Sequence, residues 1–172
     1  MRTYLLLSIL CTITILFSAG CGGVPVPNEL KNLYPVTITV TNGDQAMEEV
    51  AVSLSAKTSG GAWASRGVTN AQGVAVIQTS RASYTGKGVP AGEYKVALIK
   101  TVALPPELEP QETDQNLPPQ AVAAKQAKQE AFYEKNRVIP KILGDSNTSP
   151  IELTVAEKNT TTLTIDIAQY KK

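Results

Sequence analysis

The run Val36-Thr37-Ile38-Thr39-Val40-Thr41 sets the strongest constraint on this chain: its aliphatic side chains recur at every second position, with a threonine between each. Side chains of period two point to opposite faces of a strand, so one face of this segment seeks a core while the other tolerates water. Asn42-Gly43-Asp44 ends the run with turn residues. The same alternation returns in Val50, Val52 and Leu54, and again in Tyr94, Val96 and Leu98 after Pro90-Ala91-Gly92, with Ile99 breaking the phase. Ile151, Leu153 and Val155 form another such segment, Glu157-Lys158-Asn159 turns the chain, and Leu163, Ile165 and Ile167 complete the last. Val74 to Thr79 is a β-branched run entered through the turn Thr69-Asn70-Ala71-Gln72-Gly73, and its inward side is not fixed by periodicity. Ala62 to Arg66 adds a weaker strand, and Ser80 to Gly88 reads as a polar loop.

Seven short alternating strands with no interleaved helices point to an all-β protein, an antiparallel seven-stranded immunoglobulin-like sandwich. The strand-bearing stretches, 34–102 and 150–169, together approach the ~100 residues usual for that architecture. An insertion, 103–149, precedes the last two strands. Its first part, 103–119, holds Pro105, Pro106, Pro110, Pro118 and Pro119 among Glu107, Glu109, Glu112 and Asp114, a composition that stays extended and solvated. From about 120 to 136 the residues become Ala, Gln, Lys and Glu, strong helix formers, and Pro140 stops the run. Ala123, Ala124, Ala127 and Ala131 give that helix only a narrow apolar stripe. Its expected role is an edge or end cover for the sandwich rather than a partner-docking or membrane-surface helix.

The first 20 residues read as an export signal. Met1-Arg2 is followed by an apolar stretch from Tyr4 to Phe17 and the small residues Ser18-Ala19-Gly20 before Cys21. The stretch falls short of the ~20 residues needed to cross the hydrocarbon core. Ser18-Ala19-Gly20-Cys21 resembles the lipobox of bacterial lipoproteins, with Ser18 where members usually carry Leu. The resemblance implies cleavage before Cys21 and lipid attachment to it, and Gly22, in place of a retention Asp, implies the outer rather than the inner membrane. Cys11 lies inside the signal, so Cys21 would be the sole thiol of the mature chain and no disulfide would form. Residues 21–33, with Gly22-Gly23, Pro25 and Pro27, read as the lipidated cysteine and a tether, and 34–172 as the domain.

Tyr34 to Val52, Gly67 to Gln78, Val89 to Leu98 and Ile139 to Ile167 resemble the carboxypeptidase-regulatory-like, transthyretin-like sandwich domains of small bacterial lipoproteins. The most specific pieces are Pro90-Ala91-Gly92-Glu93-Tyr94 and Ile139-Pro140-Lys141 leading through Asn147-Thr148-Ser149-Pro150. The resemblance implies a non-catalytic, lipid-anchored structural or binding module. Where the family's turn reads Thr-Asp-Ala-Asp-Gly, this chain has Asn70 and Gln72, which removes the carboxylates that a calcium ion needs.

Composition narrows function further. The chain has 172 residues and no histidine, which excludes Ser-His-Asp and Cys-His catalysis, His-bearing zinc sites and two-His iron centres. It lacks the histidines and terminal motif of transthyretin-like hydroxyisourate hydrolases, ending instead in Tyr170-Lys171-Lys172. A formal net charge of +1 gives no field for nucleic acid. No enzyme activity, cofactor or metal is implied; the expected partners are a membrane through the lipid on Cys21 and a protein or a glycan. Trp63, the only Trp, and Tyr84 in a nearby polar stretch are the candidate ligand-binding residues of an alternative carbohydrate-binding reading. An isopeptide-type adhesin module is a further alternative, though the first strand has no Lys and the last no Asn. The acids Glu107, Glu109, Glu112 and Asp114 read as a solvated tract rather than a catalytic set.

Overall fold

The computed structural model describes residues 26–58, 63–111 and 117–171. The signal segment 1–20, Cys21, and the acids Glu112 and Asp114 therefore lie outside the described residues. The strands are β1 (Val36–Asn42), β2 (Gln45–Ala46), β3 (Ala51–Ala56), β4 (Ala64–Val68), β5 (Val74–Val76), β6 (Gln78–Arg81), β7 (Tyr84–Lys87), β8 (Gly92–Ile99), β9 (Glu152–Val155) and β10 (Thr161–Asp166). One α-helix, α1 (Pro119–Lys135), lies between β8 and β9. The protein is thus mostly β-sheet, arranged as two sheets. One has the order β7-β6-β4-β3-β8-β9; in the other, β10 lies along one edge of β1, with β5 and β2 on its opposite edge.

The period-two segments bury the side they predict. Val36, Ile38 and Val40 from β1, Val52 and Leu54 from β3, Tyr94, Val96 and Leu98 from β8, and Leu153 and Val155 from β9 meet in one core. Burying each such side chain is worth roughly 1.5–3 kcal/mol, which offsets ordering entropy where the described residues hold no cysteine.

Three features depart from the sequence reading. The sheets are not wholly antiparallel, because β10 runs parallel to β1 from Val36↔Thr161 to Thr41↔Asp166. The chain's first and last long strands come side by side there only after everything between them has wrapped round, as a parallel pair requires a long crossover. Second, Val74 to Thr79 is not one strand. β5 pairs with β1, whereas β6 pairs with β4 in the other sheet, and Ile77 sits at the crossing. Its N–H donates to Val36 O at 3.0 Å in one sheet and its carbonyl accepts from Gly88 N at 2.9 Å beside the other. Ala75, Ile77 and Thr79 are buried throughout, so the core-facing phase survives the change of sheet. Third, the polar stretch 80–88 is a hairpin, β6 to β7, turning at Ala82 with φ +50°. Period-two hydrophobicity cannot reveal it, since β7 buries none of its residues.

The helix runs where expected but does not cover the sandwich. None of its residues is buried; Lys125 Nζ donates to Glu109 O at 2.7 Å and Gln129 Nε2 to Leu108 O at 2.6 Å, tying it to the Pro-rich arm. A stripe of alanines offers too little apolar area to hold a helix against a sheet. The covering is done by the next segment, where Ile139 and Leu143 are buried and the turn Lys141–Leu143 packs against β8.

Pro90-Ala91-Gly92-Glu93-Tyr94 forms a tyrosine corner: the buried Tyr94 hydroxyl donates to Pro90 O at 2.9 Å, clamping the entry to β8. Desolvation pushes the phenol up to about 12. A raised pKa means its stabilisation is complete below pH 10 and drains away as pH climbs towards 12. Tyr94→Phe is expected to lower unfolding free energy by about 0.5–1.5 kcal/mol in urea titrations near neutral pH. In the unaltered protein, ultraviolet titration should find one phenol still un-ionised until about pH 12.

Candidate functional site

The two aromatic candidates lie on one sheet, Trp63 just before β4 and Tyr84 in β7, with β6 between them. Arg81 pairs with Tyr84, Ala64 pairs with Ser80, and carrying that register one residue further sets Trp63 beside Arg81. All three are half-buried. The N-terminal segment occupies this end of the sheet: Leu30 is 1% exposed, and Glu29 Oε2 accepts from Arg81 Nη1 at 2.9 Å. A hydrogen bond from its own backbone, and then the Arg81 guanidinium, hold the Glu29 carboxyl below its ordinary range. Tyr84 is bent along its own strand. A Cβ on Gly86 would collide with the Leu33 side chain and come 2.7 Å from the Tyr84 hydroxyl, so that glycine is the space into which both fit. A ring lodged in this way packs rather than presents an open stacking face.

Behind this row lies a buried polar pair. Thr79 Oγ1 donates its only hydroxyl proton to Gly88 O at 2.7 Å, which leaves Ser65 Oγ as the donor in the 2.8 Å Ser65–Thr79 bond. Both side chains are satisfied and structural. Asn70 is likewise committed, since its Oδ1 accepts from the backbone of Gln72 and Val74 at 3.0 Å each. No group of three or more Cys, Asp and Glu side chains among the described residues is placed to hold a metal ion.

The densest set of charges lies on the outer face of β3, β8 and β9, where Glu152 meets Lys57 at 2.6 Å and Lys95 at 2.9 Å, with Glu93 3.5 Å from Lys57. The hydrogen bonds from Lys57 and Lys95 hold the Glu152 carboxyl down to about 2. A depressed carboxylate contributes stability above its unfolded pKa and loses it as pH falls through the folded value. Carboxyl NMR should therefore find Glu152 titrating near pH 2 in low salt, and Lys57→Met with Lys95→Met should return it towards 4.5.

One concave feature among the described residues lies elsewhere, at the opposite end of the six-stranded sheet. A groove of about 880 Å³ is lined by Ala51, Val68, Val74, Val76 and Ile99 together with Ser53, Arg66, Asn70 and Gln78. It opens where β5 leaves for the other sheet. Val68 (63%), Val76 (56%) and Ile99 (52%) are the most exposed of the large hydrophobic side chains among the described residues. Val68 and Ile99 flank Ala51 in register across β4, β3 and β8. Two residues along, Ser53, Arg66, Gln78 and Lys87 form a parallel row. Arg66 is the only charged lining residue, and neither it nor Lys87 makes an ion pair among the described residues.

Sequence reading misses this groove, yet its signal is present. Ile99, out of phase beside Leu98, and Val74 and Val76, out of phase with Ala75 and Ile77, are the aliphatics that an alternating pattern does not absorb. The floor depends on Gly67, where a Cβ would approach Val76 O to 2.8 Å and Ile77 Cδ1 to 3.0 Å. Gly67→Val should push β5 away and destabilise the fold by about 1–3 kcal/mol in chemical denaturation, with the largest amide shifts at Val76 and Ile77.

Comparison with known proteins finds no matching family model, no matching curated protein and no matching solved structure.

Proposed function

We propose that the chain is a non-catalytic, lipid-anchored envelope protein whose sandwich, of the transthyretin-like, carboxypeptidase-regulatory-like kind, serves as a structural or binding module. The observation that carries this reading is the polarity of the domain. The chain enters at the end of the six-stranded sheet marked by the Glu29–Arg81 pair and the β6–β7 turn. The groove with its exposed aliphatic row lies at the other end, where β4 and β8 finish. From the Arg81 row to the Val68 row is five residues of strand by register, about 17 Å.

An acyl group on Cys21 would hold the entry end within on the order of 25 Å of a bilayer, the reach of the few residues before Glu29. The groove would then face outward, towards other envelope components. Several acyl chains, at roughly 0.8 kcal/mol per buried CH₂, suffice to moor a domain with no net charge to speak of. Gly22 after the cysteine favours delivery to the outer membrane. The carbohydrate-binding alternative draws on the shared row of Trp63 and Tyr84, but Tyr84 is laid over Gly86, which makes it the weaker reading.

Intact mass of the N-terminus from envelope fractions tests the anchor. Acylated Cys21 as the first residue is expected, and Cys21→Ala should move the protein from the membrane pellet to the soluble fraction almost entirely. A mature chain that still starts at Met1, or an unmodified Cys21, defeats this reading.

A further inference from the structure

The groove has two rows of different chemistry, and together they specify what fits it. One row is aliphatic: Val68 and Ile99 on either side of Ala51, with Val76 across the notch left by β5. The other row is polar and positive: Arg66 between Ser53 and Gln78, continued on the exposed sheet surface just outside the groove by Lys87. No Asp or Glu lines the groove. Adjacent strands are ~4.8 Å apart, so the polar row over four strands is about 14 Å long and the aliphatic row over three about 10 Å, and two residues of strand separate the rows by about 6.6 Å. On a helix, residues three and four apart have Cβ atoms ≈ 5–6 Å apart, a comparable spacing. A cation with no acidic neighbour beside uncovered aliphatic surface selects for a ligand that brings both carboxylate and hydrocarbon.

We propose that this face docks an acidic amphipathic peptide segment of a partner protein, its aliphatic side chains on the Val68–Ile99 row and its carboxylates on Arg66 and Lys87. The inference rests on the reading of the sandwich as a binding module and adds the chemistry of what it binds. Helix-in-groove recognition supplies affinity through the apolar anchors, while the charge row sets register and rejects basic partners.

The test uses the purified mature chain and two fluorescent 18-residue peptides. One carries leucines at i, i+3, i+4 and i+7 spacing with glutamates on the flanks, and the other has lysines in place of the glutamates. Fluorescence anisotropy should show the Leu/Glu peptide binding at least about tenfold more tightly than the Leu/Lys peptide. Arg66→Glu with Lys87→Glu should invert that preference. Val68→Thr with Ile99→Thr should weaken both peptides by about tenfold. These four positions are exposed, so circular dichroism and melting should remain those of the parent. NMR shifts on titration should centre on β3, β4 and the end of β8.

Equal affinity for both peptides would reduce the groove to an indiscriminate greasy patch and overturn the proposal. So would absence of binding, a footprint on another face, or sedimentation showing that a second copy already covers the groove. Acylation of Cys21 is read separately by mass, so failure of peptide binding in an acylated chain overturns the docking inference alone.

Discussion

Ile77 is the residue on which the rest of the molecule depends. A sandwich must carry its chain from one sheet to the other, and loops usually do this over the surface, where water satisfies the backbone. Here the crossing happens inside the core. The N–H of Ile77 bonds to Val36 and its carbonyl accepts from Gly88, so neither group is left unpaired in a place where an orphan would cost several kcal/mol. Because one residue serves both sheets, through the two peptide groups that flank it, their separation is fixed at that point. The fully buried Ile77 side chain then fills the gap between them. Gly67 is the clearance that the crossing requires.

Closure elsewhere follows the same economy. β1 and β10 bring the beginning and end of the domain together, and the far end of that pair is latched by polar contacts. Asp166 Oδ1 accepts from Gly43 N at 2.8 Å and from Ala168 N at 3.0 Å, which holds its carboxyl below the usual range, and Lys171 Nζ donates to Asn42 Oδ1 at 3.0 Å. Gly73 lets a third piece reach the same region, since at φ +73° it lies so close to β1 that a Cβ would stand 2.6 Å from Val40 O. Thr69 joins two loops by donating to Met47 O at 2.6 Å and accepting from Val50 N at 2.9 Å. Loops fixed in this way hold the groove end of the sheet rigid, as a preformed binding face requires.

The two-sheet, mostly β fold and the helix were legible because each rests on a short-range pattern. Alternation in Val36 to Thr41 forces a half-buried strand, and Ala and Lys between 120 and 136 favour a helix regardless of surroundings. What was not legible depends on contacts distant in sequence. Nothing near Val74 to Thr79 states that its first half will pair with β1 and its second with β4. The parallel β1–β10 pairing was equally hidden, because Thr, Ile and Val alternate alike for either direction. Of the site residues, Trp63 and Tyr84 do share a row, but Tyr84 is packed with Leu33 over Gly86, and the groove's residues were visible only as faults in the alternation.

Those faults are where the argument for binding is strongest. Outward positions of β1 and β10 are filled by threonine: Thr37, Thr39 and Thr41 on β1, Thr162 and Thr164 on β10. Threonine is close to valine in shape and as suited to a strand, and at an exposed position it gives up no burial. Strand propensity therefore does not account for Val68, Val76 and Ile99 at 63%, 56% and 52% exposure. Each leaves hydrocarbon in water and raises the risk of self-association, at positions where the sequence has an isosteric remedy in repeated use. Keeping three such residues around one notch, beside a cation with no acid to neutralise it, fits a surface that is uncovered only until its partner arrives.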